Sequence, residues 1–86
     1  MPTISRFYGI FIRMYFREHG VPHFHAIYGE HVASYSVDSL RRLEGWLPTP
    51  QQKLVDAWAV LHQRQLMDNV SRWQRGLPLK KIPGIR

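Results

Sequence analysis

An 86-residue chain with 12 Lys and Arg, 6 Asp and Glu and no cysteine is expected to form a single small domain. Folding at this length buries only about 60–65% of the unfolded surface, and the lack of cysteine excludes a disulfide framework or a cysteine-ligated zinc site. No apolar run approaches the roughly 20 residues of a membrane span, and Met1-Pro-Thr-Ile-Ser5 lacks the charged start and apolar stretch of a signal peptide, so a cytoplasmic protein without membrane association is expected. The formal charge of +6 favours polyanionic partners, among them nucleic acid and acidic proteins.

Residues 7–17 are rich in aromatic and branched side chains, which predicts a strand. Ile10, Ile12, Met14 and Phe16 form its apolar face, with Phe11, Arg13, Tyr15 and Arg17 on the other. Gly20 and Pro22 mark a loop. Residues 23–28 and 31–37 read as the next two strands, joined through Gly29-Glu30 in a type II′ hairpin. That turn pairs Tyr28 with His31, Ala26 with Ala33 and Phe24 with Tyr35. Phe24, Ala26, Tyr28, Ala33, Tyr35 and Val37 then face the core. His23, His25, Ile27, Val32, Ser34 and Ser36 face away.

Residues 41–47 suit a short fourth strand. Thr49 suits a helix N-cap, Pro50 the first helical position, and Gln52 the closing residue of a capping box. The helix should run to about Gln74 and stop at Gly76, with Pro78 beyond it. Its apolar face is expected to carry Leu54, Val55, Trp58, Ala59, Leu61, Leu66, Val70 and Trp73. His62 and Asn69 fall within that face and are read as buried groups with satisfied hydrogen bonds, Asn69 fixing the helix against a loop. The tail from Leu77 to Arg86 holds two prolines and a glycine and should lie extended along the domain or a partner. The expected fold is α+β, a three- to four-stranded antiparallel sheet with one long C-terminal helix packed on one face. A single helix leaves the other face uncovered.

The segment His19-Gly-Val-Pro-His-Phe-His25 concentrates three of the five histidines. His23 and His25 leave the same face of a strand, and His19 adjoins them from the loop. Such imidazoles suit acid and base roles in phosphodiester cleavage, with Arg13 or Arg17 stabilising the charged transition state. An isolated His-x-His without a convincingly spaced carboxylate is a weak metal signal, and neither a metal nor another cofactor is expected. The alternation of Phe11, Arg13, Tyr15 and Arg17 suits binding of a protein or of single-stranded nucleic acid. Arg72, Arg75, Lys80 and Lys81 form a basic end suited to phosphate contact.

The opening ten residues, the run Pro22-His-Phe-His-Ala-Ile-Tyr-Gly-Glu30, Leu43-Glu-Gly45, Trp58-Ala-Val-Leu-His62, Asn69 and Pro78-Leu-Lys-Lys-Ile82 resemble a small bacterial family, domain of unknown function 4160. The Pro-His-Phe-His centre is the most specific part. The resemblance implies a small cytoplasmic bacterial protein, often encoded beside a second small gene in pairs that look like toxin–antitoxin modules. It carries no established catalytic residue. The leading expectation is a binding module that engages a cognate small protein, with nucleic-acid contact through the same face. The alternatives are a toxin-like ribonuclease using His23 and His25, with His19, and a structural homodimer.

Overall fold

Ile10, Ile12 and Met14 do form the buried face of a strand, but that strand begins three residues later than the sequence suggests. The computed structural model describes residues 3–15 and 20–86. Its elements in chain order are β1 (Thr3–Phe7), β2 (Ile10–Tyr15), β3 (His23–Tyr28), β4 (His31–Ser36), β5 (Arg42–Gly45) and α1 (Thr49–Gln74). The strands form one antiparallel sheet in sequence order.

The expected strand over 7–17 is corrected to two strands joined by a hairpin, with Phe7 opposite Ile10. Tyr8 and Gly9, at φ 48° and 76°, are its two loop residues, and positive φ at both is the backbone of a type I′ turn. Tyrosine rarely takes that conformation, so Tyr8-Gly9 gives a weak turn signal and β1 goes unseen in the sequence. Phe16 and Arg17 lie outside the described residues.

The β3–β4 register is the expected one, with Phe24 opposite Tyr35, Ala26 opposite Ala33 and Tyr28 opposite His31. Gly29 takes positive φ in the turn. β5 is shorter than the expected 41–47. Gly45 sits at φ 70°, where a Cβ would lie 2.0 Å from the Val32 carbonyl oxygen. Only glycine lets β5 approach β4 this closely.

The helix begins one residue early. Pro48 is the N-cap and no side chain caps the end, so the Thr49–Gln52 capping box is corrected. Gln52 is engaged elsewhere. Its Oε1 accepts from the Tyr35 hydroxyl at 2.6 Å and its Nε2 donates to Asp56 at 2.9 Å. The far end closes as expected. Gly76 N–H donates to Trp73 O and Leu77 N–H to Arg72 O, with Gly76 at φ 71°, the Schellman arrangement.

Val55, Trp58, Ala59, Leu66, Asn69 and Val70 are the buried residues of α1. This stripe is narrower than expected. Leu61 is 73% exposed and Trp73 40% exposed, so both are corrected from core to surface. Leu61 lies one residue, about 100°, off the stripe's line through His62. His62 is half-buried rather than core. It interrupts the helix with φ −118° and ψ 20°, and its Nδ1 bonds the Gln65 Oε1.

Trp58 centres the core. Its ring stacks on Phe7 at 5.5 Å and meets Phe24 edge-on at 5.7 Å, while Phe24 stacks on Tyr35 at 5.2 Å. The tail is extended and closes the core beside β1. Fully buried Asn69 donates to Lys80 O at 2.9 Å and accepts from Lys80 N–H at 2.8 Å. Ile82 N–H donates to Ile4 O at 2.7 Å, and the Trp58 indole donates to Pro83 O at 2.9 Å. Asn69→Ala should cost about 2–3 kcal/mol, since two main-chain groups of Lys80 lose their partner. Chemical denaturation measures that loss, and amide exchange at Lys80 should accelerate with it. A cost near zero would mean that the tail is held by other contacts.

Burial pushes the Tyr35 phenol above its ordinary value of 10.0. The folded state therefore favours the neutral phenol. The associated stability is complete below pH 10.0 and is lost as pH rises through the raised folded value. Thermal melts across that range should show the loss, and Tyr35→Phe should remove Tyr35's share of it.

Candidate functional site

The helix occupies one side of the sheet, so strand alternation sends the remaining side chains to the other face, which no helix among the described residues covers. The pairings place three rows across that face. Arg6, Phe11, Ile27 and Val32 form one. Thr3, Arg13, His25, Ser34 and Glu44 form the next. Tyr15, His23 and Ser36 occupy the third register position. Phe11, Arg13, His23, His25 and Ile27 are half-buried, and Val32 is 49% exposed. Ser34 and Ser36 are buried, small residues opposite the two imidazoles.

Local bonds fix several of these groups. The Arg6 guanidinium lies 5.4 Å from the centroid of the Phe11 ring, a cation–π contact. Arg13 Nε donates to Thr3 Oγ1 at 3.3 Å. The His23 and His25 rings stand edge to face with centroids 5.0 Å apart. His23 Nδ1 lies 2.9 Å from the Val21 carbonyl oxygen. A carbonyl only accepts, so Nδ1 carries the proton and Nε2 of the neutral ring holds the lone pair. Pro22, which biases Val21 to extended geometry, sits between these two partners. A basic nitrogen beside a second imidazole, with Arg13 opposite His25, is an arrangement able to move protons at an anionic substrate.

The expected site residues divide into groups. Phe11, Arg13, His23 and His25 share the open face. Tyr15 is placed opposite His23 by its backbone, and Arg17 and His19 lie outside the described residues. Arg72 is engaged internally, since its Nε donates to Pro78 O at 2.7 Å. Arg75 caps the end of α1. Lys80 is exposed but has its main chain tied to Asn69. Lys81 alone of this basic set shares a cleft with Phe11. Arg6 and Thr3 were missed because they lie on β1. Among the described residues, no three His, Asp or Glu side chains gather as metal ligands, and no helix is long and apolar enough to cross a membrane.

A family model described as a domain of unknown function, DUF4160, matches residues 9–73, more than half of the chain. The chain belongs to the DUF4160 family. No curated protein and no solved structure matches it. The DUF4160 segment takes in β2 to β5, α1 as far as Trp73 and the whole Pro-His-Phe-His run, but neither β1 nor the tail.

The tie to Val21 makes a specific prediction. Long-range proton–nitrogen NMR above the imidazole titration range should show His23 mainly as the Nδ1–H tautomer. A dominant Nε2–H form would show that the contact does not hold in solution.

Proposed function

We propose that this DUF4160 chain is a binding module, one component of a toxin–antitoxin-like pair, whose open sheet face receives a cognate small protein. The observation that carries this reading is the row of Phe11, Ile27 and Val32 on a face that no helix covers. An apolar strip bordered by arginine and histidine has the composition of an interface centre and rim. The same basic and aromatic surface suits contact with nucleic acid, where rings stack and arginines neutralise phosphate. The test is co-expression with the small protein encoded beside it, followed by size-exclusion chromatography and titration. Val32→Glu and Ile27→Glu should weaken the complex by about tenfold or more, since each drives a charge into an apolar contact. Thermal melts of the variants should stay near that of the parent. A complex that tolerates both substitutions would exclude this face.

The contact between His23 and His25 supports a second reading, cleavage of RNA. His23 Nε2 would take the proton of a ribose 2′-hydroxyl as that oxygen attacks phosphorus. His25 would give a proton to the departing 5′-oxygen, with Arg13 offsetting the charge that gathers on the phosphoryl oxygens. Under this reading the His23→Ala/His25→Ala protein binds RNA as the parent does but no longer turns it over. Cleavage that persists in the double variant would exclude the histidines.

A further inference from the structure

The side of α1 turned away from the sheet is not a purely polar surface. Val60 and Leu61 are 70% and 73% exposed, and Ala57 and Met67 are exposed near them. Spacings of three, four and seven residues place these side chains on one strip of the helix. Four exposed charges border it, Lys53 and Asp56 toward the helix start and Arg64 and Asp68 toward its end. Lys53, Arg64 and Asp68 form no ion pair among the described residues, and Asp56 accepts from Gln52 Nε2. The strip thus has two cations and two anions around an apolar centre, on a chain whose formal charge is +6.

We propose that this face of α1 receives a second copy of the chain, the two helices packing antiparallel about a two-fold axis between Val60 and Leu61. A two-fold contact uses the same patch on both copies, so the patch must complement itself. That axis sets Val60 against Leu61 of the other copy. Counting outward, Ala57 meets Arg64 and Lys53 meets Asp68, and each pairing occurs twice. Asp56 adjoins Ala57, within reach of the long Arg64 side chain. The signs along the strip run plus, minus, plus, minus, from Lys53 through Asp56 and Arg64 to Asp68. Reversed, that order is its own complement, whereas a parallel pairing would set like charges together. The open sheet face fits a second copy less well. Arg6, Arg13, His23 and His25 stand in its rows with Glu44 as their acidic member, so two such faces would oppose cations. Because α1 is interrupted at His62, the contact spans few turns, and the association is weak and concentration-dependent. The inference does not rest on the docking of a cognate protein and leaves the open face free for one.

The experiment is sedimentation velocity of the full chain at low ionic strength, over about a thousandfold range of concentration. Monomer and dimer should exchange across that range. Val60→Glu and Leu61→Glu should each raise the dimer dissociation constant by about tenfold or more, since each drives a charge into the apolar centre. Both positions are exposed, so thermal melts should stay near that of the parent. Lys53→Glu and Asp68→Lys should each weaken the dimer by about three- to tenfold. The combined Lys53→Glu/Asp68→Lys chain should return to within about twofold of the parent, because the pairing is restored with its signs exchanged. A chain that stays monomeric throughout would overturn the proposal, as would a dimer that tolerates Leu61→Glu or a charge exchange that restores nothing. A dimer broken by Val32→Glu but not by Val60→Glu would place the second copy on the open sheet face instead. A monomer whose complex with the cognate small protein is lost in Leu61→Glu would give the helix face to that protein, and the second copy would again be excluded.

Discussion

The paired hydrogen bonds between the Asn69 carboxamide and the main chain of Lys80 determine where the last ten residues lie. Asparagine is costly in an apolar core unless every polar atom finds a partner. Here the main chain of one residue supplies both donor and acceptor, so the asparagine can be fully buried. Once Lys80 is fixed, Ile82 reaches Ile4 and Pro83 reaches the Trp58 indole. Trp58 can then remain at the centre of the aromatic cluster with its N–H satisfied. Phe7, Phe24 and Tyr35 pack around that ring or onto each other. One buried amide thus connects helix, tail and the first strand.

The same tie settles how one edge of the sheet is managed. An unprotected edge offers unpaired backbone groups to other chains. The tail lies against β1 and takes up the Ile4 carbonyl. At the opposite edge, β5 is four residues long and fully exposed, and its shortness and the charges of Arg42 and Glu44 discourage extension. Neither arrangement covers the flat outer face. Burial of Phe24 and Ala26 sends His23, His25 and Ile27 there by alternation alone. The histidine pair is therefore positioned by the packing of its neighbours, and Val21 fixes only its proton.

Much of this was legible in the sequence. Period-two patterning on either side of Gly29 specified the β3–β4 register, because a slip of one residue would have put histidines and serines into the core. Gly76 followed by Pro78 specified the helix end. What failed did so through tertiary competition. Gln52 has the spacing of a capping residue, but the Tyr35 hydroxyl claims it. Tyr8-Gly9 forms a tight hairpin with a residue type that rarely signals one, which hid β1 and with it Arg6 and Thr3. The internal bond of Arg72 was hidden for a similar reason. Its bond to Pro78 O depends on the path of the tail, which no local pattern encodes.

The molecule's binding chemistry is consequently divided along the chain. The family segment, residues 9–73, contains His23, His25, Phe11, Arg13, Ile27 and Val32, so the open face can be read as a property of that segment. Arg6 and Lys81 come from outside it, and Asn69 is the family-segment residue that holds the tail beside β1. Loosening the Asn69 tie therefore frees the tail from β1 while the β3–β4 register, held by its own ladder and hairpin, has no reason to change. Substitution at Asn69 thus addresses the tail, and substitutions at Ile27 or Val32 the open face, within a single small core.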